Sequence, residues 1–360
     1  MQLQPEPVPL LFPDLARPRA LPVIGAQKDI TYHDTIARSI LNGPEITKMG
    51  FWSINPYIGC AFGCAYCYAR YTHRYVMERA VTAETLDDAT QRDVERIPPW
   101  LAFERHIVVK RNAATVLSRT LRHGSDKHRR LIEGETIVIG TATDPYQPAE
   151  RRFRVTRGIL EVLAEHPGLD VVVITKSPLI TRDIDVLVRL MRHSTVSIHL
   201  SLITLDRQLA RRIEPRAPTP DSRVRALERL HEAGIEVGIN CMPVLPGITD
   251  NPRDLEALVR RVAQAGASSV GACALRLRHE ARLRYLPFIA QEFPHLAERY
   301  RGAYARSHHV SERYREGLSR FMKRLCAKYG IDGGYPDEEE DDTDSPALLT
   351  DTQLELALAR

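Results

Sequence analysis

Three cysteines stand close together in the sequence, at Cys60, Cys64 and Cys67, with the spacing C-x3-C-x2-C. Three thiolates can hold three irons of a [4Fe-4S] cluster and leave the fourth iron open to a small chelating ligand. A cluster that only carries electrons would use a fourth cysteine nearby, whereas the next cysteine along this chain is Cys241. The spacing therefore predicts a four-iron cluster with one iron open to chemistry.

The residues around the thiols suit a tightly folded loop. Gly59 and Gly63 allow the backbone to pass close to a cluster. A strand is predicted over residues 51–54, so we expect the loop at the carboxyl ends of barrel strands, where active sites gather. An alternative combines the three thiols with His73 in a Cys3His zinc site, which has the right ligand types but an unusual spacing.

The composition narrows the class of protein. Of 360 residues 43% are hydrophobic, with 24 Pro and 20 Gly spread along the chain, which excludes a disordered or fibrous protein. No apolar run approaches the roughly 20 residues that span a bilayer, and the N-terminus lacks a signal-peptide pattern. We therefore expect a cytoplasmic protein without membrane contact, in which clustered cysteines serve metal binding or catalysis.

Charge is distributed unevenly. The net charge is +4, and a run at residues 337–344 contributes seven acids and no bases, so the remainder carries +11. A basic body with an acidic tail suits a protein that meets nucleic acid, and the alternative is a solvated, disordered tail on an ordinary surface. Arginine and tyrosine also interleave over 299–328, which predicts either phosphate and stacking contacts or a solvated helix face.

From residue 105 onward, short β-branched runs alternate with amphipathic stretches such as 151–165 and 222–233. The predicted strands are 107–110, 136–141, 171–175, 196–202, 235–242 and 269–274. Strand and helix in alternation predict βαβ units on a parallel sheet, here an α/β incomplete barrel, since no G-x-G-x-x-G opens a helix.

Four regions follow from this pattern. Residues 1–45 are Pro-rich and predict an extended N-terminal arm, and residues 46–280 form the barrel. Residues 281–332 predict terminal helices, and residues 333–360 an acidic linker with a short terminal helix.

The strand at 196–202 has an apolar face and a polar face, because alternate side chains point to opposite sides of a sheet. The polar positions are Ser197, His199 and Ser201, between Val196, Ile198, Leu200 and Leu202. We expect these three polar groups to face the barrel interior, where they either bind a cofactor or satisfy one another.

The same parity separates the other cysteines. Cys241 belongs to an apolar face and should pack under a helix, and Cys326 lies on the apolar stripe of a terminal helix. Cys273 shares the parity of Gly271, so it either faces the interior or is a core cysteine.

The motif C-x3-C-x2-C, with an aromatic residue before the third cysteine, resembles the signature of the radical S-adenosylmethionine (SAM) enzymes. NPYIGC, CAYCYAR, IVVKRNA, GTATDPYQPAE, HLSL, EPRAP and PVLPGITD, between about residues 50 and 280, resemble the spore photoproduct lyase-like branch of that family. The resemblance implies a partial (β/α)6 TIM-type barrel, SAM as cofactor, and an electron donor such as flavodoxin or ferredoxin. It makes Cys60, Cys64 and Cys67 the cluster ligands and puts Tyr66 beside the adenine of SAM.

The resemblance extends to three residues at strand ends. Ser201 matches a serine that contacts SAM, and Lys176 matches a lysine near the SAM carboxylate, which it can neutralise as a point charge. Asp144 either binds the SAM amino group or caps the helix near 150–165. A binding module without catalysis has no reason to keep all three around an open cluster site.

One departure limits the resemblance. Spore photoproduct lyases proper carry a hydrogen-donor cysteine beside the motif that corresponds to residues 140–144, and none stands there in this chain. Cys273 and Tyr146 are the candidate replacements. We therefore expect SAM cleavage without efficient repair of spore photoproduct. The substrate stays open between nucleic acid and a peptide or small metabolite, and a non-catalytic Fe-S or zinc protein that binds nucleic acid is the alternative of another class.

Overall fold

The computed structural model of the protein describes residues 21–47, 49–70, 73, 77, 80, 86–122 and 124–333. The expectations for residues 1–20 and for the acidic segment with its terminal helix fall outside the described residues. No helix of the described part is long and apolar enough to cross a membrane.

An eight-stranded sheet forms the centre of the fold. Its order is β12 (Asp332–Gly333), β11 (Ser269–Ala274), β10 (Glu236–Val244), β9 (Thr195–Ser201), β8 (Asp170–Thr175), β7 (Thr136–Ile139), β4 (Trp52–Ile54) and β3 (Leu41–Asn42). Within this sheet β4, β7, β8, β9, β10 and β11 pair in parallel with their neighbours in that order. β3 pairs antiparallel with β4. These six parallel strands confirm the predicted partial (β/α)6 barrel.

A second, four-stranded sheet contains the remaining strands. In order these are β1 (Val23–Gln27), β2 (Ile30–Thr35), β6 (His106–Lys110) and β5 (Tyr57–Ile58). Two expectations are corrected here. The strand predicted at 107–110 exists but lies outside the barrel, where β6 pairs in parallel with β2. Residues 23–35 form an antiparallel hairpin and not an extended arm.

Helices separate the strands. Those between β6 and β11 are Ala113–Thr120, Asp126–Ile132, Pro148–Phe153, Val155–Leu163, Ile184–Met191, Arg207–Ile213, Pro220–Glu232 and Pro252–Gln264, with a 3-10 turn at Pro178–Asp183. Pro44–Thr47, Asp88–Arg96 and Pro99–Arg105 precede β6, and His279–Glu292, Ala297–Ala303 and Glu312–Tyr329 follow β11, with a 3-10 turn at Pro294–Leu296. The helical terminal region is therefore as predicted.

Two large hydrophobic cores and a small third one organise the described residues. The larger lies between the barrel sheet and its helices, and the second joins the cysteine loop, through Phe62 and Tyr66, to the terminal helices. Tyr300 and Tyr304 belong to this second core and are 3% and 1% exposed. The prediction that these tyrosines offer stacking surfaces for nucleic acid is therefore wrong.

Candidate active site

The cysteine loop, residues 59–67, follows β5 and is tied to the segment after β7. The carbonyl of Gly59 accepts hydrogen bonds from Thr143 Oγ1 at 2.6 Å and from Gln147 Nε2 at 3.0 Å. Gln147 Oε1 in turn accepts the backbone N–H of Ala61 at 2.9 Å. Since β4 and β7 are neighbouring parallel strands, these bonds hold the loop at the carboxyl end of the barrel.

Two glycines shape the loop. Gly59 and Gly63 have φ angles of 85° and 67°, which residues other than glycine rarely adopt. A Cβ on Gly59 would stand 2.8 Å from the carbonyl oxygen of Phe103, and one on Gly63 would stand 2.7 Å from Oε2 of Glu104. Both positions therefore need glycine for conformation and for space, as the sequence predicted.

The three thiols share one environment. Cys60 and Cys64 are buried, and Cys67 is partly exposed. Burial raises the pKa of Cys60 to about 12 and raises the pKa of Cys64 and Cys67 as well, and the charge of Cys67 adds to the rise at Cys60 and Cys64. Metal ligands must be thiolates, so a bound cation is what would stabilise the charged form of these side chains.

Thiolates are the usual ligands of iron-sulfur clusters, so the chemistry of the three cysteines fits that group. Among the described residues, no three His, Cys, Asp or Glu side chains converge as ligands of one metal ion do. In a four-iron cluster each thiolate binds a different iron, so its ligands stand further apart. His73, the fourth ligand of the zinc alternative, engages the carbonyl of His106 through Nε2 at 2.7 Å and does not join the thiols.

Arg70 holds the cysteine loop through a hydrogen bond to its backbone. Its side chain is fully buried and lies 2.7 Å from Oε1 of Glu104. The same guanidinium donates to the carbonyl of Cys64 at 2.7 Å and to that of Trp100 at 2.6 Å. A buried cation therefore fixes the backbone of Cys64.

A buried charged network surrounds Tyr66. The Tyr66 hydroxyl donates to Glu214, and Arg223 donates to the same carboxylate. Lys176 Nζ stands 3.9 Å from Oε1 of Glu214 and 5.7 Å from the centre of the Tyr66 ring. Burial alone would raise the pKa of Glu214, but the charges of Arg223 and Lys176 outweigh it and lower that pKa. The thiolate of Cys64 and Glu214 together raise the pKa of Lys176 against the effect of its burial.

Asp144 links two barrel strands. Its Oδ1 accepts the Thr175 hydroxyl at 2.7 Å and the N–H of Tyr146 at 2.9 Å, and its Oδ2 accepts the N–H of Lys176 at 2.7 Å. Burial raises the pKa of this carboxyl, while the hydrogen bonds act against that rise. The capping alternative is wrong, because the next helix begins at Pro148 after Gln147 without a side-chain cap.

The polar face of β9 points into the barrel as predicted. Ile198 and Leu200 are buried, whereas His199 and Ser197 are partly exposed. In the strand register Ser201 lies beside Asn240, and Asn240 lies beside Gly271 of β11. These residues therefore form one row across the barrel interior.

A second row lies one step toward the amino ends of the same strands. It contains His199, Gly238 and Ser269, and a Cβ on Gly238 would approach Ser269 Oγ to 2.7 Å. His199 Nδ1 is 3.1 Å from Asn240 Oδ1, which connects the two rows. The interior is thus lined by side chains that can form hydrogen bonds.

The remaining cysteines divide as the parity predicted. Cys241 and Cys326 are fully buried in the larger core. Cys273 is exposed and shares the face of Gly271, so the interpretation as a core cysteine is wrong. Its position near the end of β11 puts a thiol at the carboxyl end of the barrel.

Tyr146 does not line the barrel interior. Its side chain is 1% exposed and belongs to the larger core. Burial and the nearby charges of Asp183 and Glu150 raise the pKa of its hydroxyl well above the ordinary value. The sequence correctly located this residue near the site but could not indicate which way its side chain turns.

Sequence reasoning missed three buried charges of the site. Glu214 stands in the EPRAP motif, yet no role was assigned to it, and Arg223 and Arg70 were overlooked. An acidic residue between arginines, directly before a proline, was the available signal for Glu214. In the sequence Arg223 resembles the other arginines of helix surfaces, and only its ion pair with Glu214 shows that it is buried.

The comparisons with known proteins agree with this geometry. Residues 115–261 match the family model of the Radical SAM superfamily, a region that begins after the three cysteines. An uncharacterized protein of Mycobacterium tuberculosis is 34% identical over 308 residues, covering 85% of this chain and 83% of that protein. An uncharacterized protein of Methanocaldococcus jannaschii is 28% identical over 197 residues, covering 55% of this chain and 61% of that protein.

Two solved structures share the fold. Spore photoproduct lyase complexed with dinucleoside spore photoproduct has a TM-score of 0.59 at 14% identity, covering 89% of this chain and 87% of that one. A mutant of the same enzyme with bound AdoMet and dinucleoside spore photoproduct has a TM-score of 0.55 at 15% identity, covering 79% and 75%. The chain therefore contains a Radical SAM superfamily domain over residues 115–261, and its barrel shares the fold of spore photoproduct lyase.

Proposed function

We propose that this protein is a radical SAM enzyme that holds a [4Fe-4S] cluster through Cys60, Cys64 and Cys67. The observation that carries the proposal is the glycine-shaped loop of three thiols with Lys176 beside it, where the charge of Cys64 raises the lysine pKa. Such a cluster, when reduced, supplies the electron that cleaves SAM to methionine and a 5′-deoxyadenosyl radical.

The chain's own residues bind and orient SAM. Lys176, held by Asp144 through its backbone N–H, neutralises the SAM carboxylate. Tyr66, fixed by Glu214, packs beside the adenine, and the Ser201 hydroxyl contacts SAM from the strand end. Asp144 orients Lys176, and its Oδ2 can accept a hydrogen bond from the SAM amino group with its remaining lone pair.

The hydrogen donor of spore photoproduct lyases has no counterpart in the segment after β7. Thr143 donates its hydroxyl to Gly59, and the Thr141 hydroxyl stands 2.8 Å from Ser53 Oγ, so both serve the loop structure. We assign the donor role to Cys273, whose S–H bond is weak and whose thiol is exposed at the barrel end. Because this thiol lies in β11 and not in the segment after β7, the enzyme acts on a substrate other than spore photoproduct.

The proposed cleavage of SAM implies an electron donor and a substrate as partners. An electron donor such as flavodoxin or ferredoxin reduces the cluster, and a cytoplasmic location fits that requirement. The substrate is a nucleic acid or, alternatively, a peptide or small metabolite, because the barrel interior offers hydrogen-bonding side chains that suit either class. A non-catalytic Fe-S or zinc protein is disfavoured by the organised Lys176 and Asp144.

Anaerobic reconstitution with iron and sulfide, followed by chromatography for 5′-deoxyadenosine, tests the proposal. We expect this product from SAM and a chemical reductant, and a faster yield with the right substrate class when candidate nucleic acids, peptides and metabolites are compared. Reconstituted protein that binds iron but yields no 5′-deoxyadenosine under any condition would refute the catalytic role.

A further inference from the structure

Basic side chains converge beside the carboxyl end of β11, on two segments that the proposed reaction does not use. Residues 275–278 and 304–315 contain five arginines and two histidines against one acid, Glu312. The N–H of Leu277 donates to the carbonyl of His308 at 2.8 Å, which joins the two segments. Arg276 Nη2 lies 3.4 Å from His308 Nε2, so the side chains meet as well.

His309 lies among these cations. Its ring centre is 4.2 Å from that of His308. Burial lowers the pKa of His309 to about 4, and the charges of Arg276, His308, Arg315 and Arg278 act in the same direction. An anion bound beside His309 would offset the positive charges that lower this pKa.

Two further features favour an anion at this place. Nε of Arg315 is buried without a hydrogen-bond partner, so a donor in the cluster is unused. The helix Glu312–Tyr329 begins here, and its N-cap Ser311 makes no side-chain cap bond. The positive end of an 18-residue helix therefore adds to the charge of the arginines.

We propose that this basic cluster, formed by Arg276, Arg278, His308, His309 and Arg315, binds a phosphate group of the substrate. Guanidinium groups recognise phosphate through paired N–H donors, and several cations match its several oxygens better than the two of a carboxylate. Cys273 precedes Arg276 by three residues on the same strand end, so a phosphate here would hold the rest of the substrate near that thiol. This inference rests on the proposed function for the reaction, but phosphate binding itself needs neither iron nor SAM.

The test is a titration of the full chain with inorganic phosphate, thymidine 5′-monophosphate and a short single-stranded oligonucleotide. NMR of the labelled histidine rings, with His309→Gln to assign the signal, follows the His309 resonance. We expect each phosphate to shift it and to raise its pKa. Preference for the monoester would identify a small phosphorylated substrate, and preference for the oligonucleotide would identify nucleic acid.

Paired variants distinguish phosphate binding at this cluster from a general effect of positive charge. Arg276→Gln with Arg315→Gln should weaken phosphate binding about tenfold or more and lower the salt slope for the oligonucleotide by about 1 to 2. Arg278→Gln, on an exposed side chain, should weaken it about threefold and serves if the double variant folds poorly. Arg320→Gln with Arg324→Gln removes equal charge from the exposed face of the same helix and should change affinity less than about twofold.

Equal affinity in the two double variants, or no His309 response to any phosphate, would overturn the inference. The outcome is independent of the cluster. Wild-type protein that binds phosphate but does not cleave SAM would refute only the proposed function. Wild-type protein that cleaves SAM but does not bind phosphate would refute only this inference.

Discussion

Tyr66, inside the cysteine loop, donates its hydroxyl hydrogen bond to the carboxylate of Glu214, which lies 148 residues further along the chain. Arg223 pairs with the same carboxylate, and the side chains of Glu214 and Arg223 are 1% and 2% exposed. The contact connects the loop that carries the thiols to the far side of the barrel. It therefore fixes the Tyr66 ring and Lys176 in one arrangement before any cofactor binds.

Replacing Glu214 with Gln preserves the side-chain shape and removes the charge between Arg223 and Lys176. We expect the free energy of unfolding, measured in urea, to fall by about 3–5 kcal/mol, because buried cations lose their partner. Asp221→Asn breaks the exposed pair with Arg207 and should cost less than about 1 kcal/mol. A loss at Glu214 no larger than the loss at Asp221 would contradict the structural role of the network.

Gly63→Ala tests the close approach in the cysteine loop. Gly63 and Gly330 have φ angles of 67° and 68°, but a Cβ on Gly330 would meet nothing within 4 Å. Both alanine variants should lose about 1–2 kcal/mol of stability from the left-handed backbone. Only Gly63→Ala should also bind clearly less iron on reconstitution, because its methyl group would displace Glu104. Equal iron in the two variants would show that the loop tolerates a side chain.

Stability should depend on pH through His33. Burial, followed by the charge of His106, lowers the pKa of His33 from 6.5 to about 4, so the unfolded chain binds this proton more readily than the folded one. The contribution of His33 is therefore complete above pH 6.5 and is lost as the pH falls toward 4. Between pH 7 and pH 5 the loss should be about 2 kcal/mol.

Urea unfolding at both pH values measures this loss. The difference between the two pH values should shrink by about that amount in His33→Gln and stay unchanged in His193→Gln, whose side chain is exposed. A wild-type pH dependence that survives in His33→Gln would assign the effect to other groups.

An anaerobic assay on a synthetic spore-photoproduct dinucleotide tests the departure from the lyases. We expect 5′-deoxyadenosine but little thymine, because no cysteine stands in residues 140–144, beside which the lyases carry their hydrogen donor. Efficient thymine formation would reverse this conclusion, and its loss in Cys273→Ser would then identify Cys273 as the donor for that reaction.

The sequence predicted local features of the site well. The polar face of β9 follows from a period of two within seven residues, so Ser201 and His199 could be oriented without knowledge of the fold. The thiols and glycines of the cysteine loop could also be selected from the sequence, because they lie within nine residues of one another.

Features that depend on distant contacts could not be predicted. β-branched residues in β6 indicate a strand but not its partner, and that strand joined the smaller sheet. The role of Glu214 depends on Tyr66 and Arg223, which meet it only in the folded chain. Tyr146 was a candidate by proximity to Asp144, and packing decided its orientation.

The most direct test of the central claim is metal content together with SAM cleavage in anaerobically reconstituted protein. The wild type should be brown, hold about four irons per chain and release 5′-deoxyadenosine from SAM. Alanine at Cys60, Cys64 or Cys67 should abolish that release, whereas Cys273→Ala should keep its iron. One tightly bound zinc per wild-type chain, with no iron and no 5′-deoxyadenosine, would contradict the account.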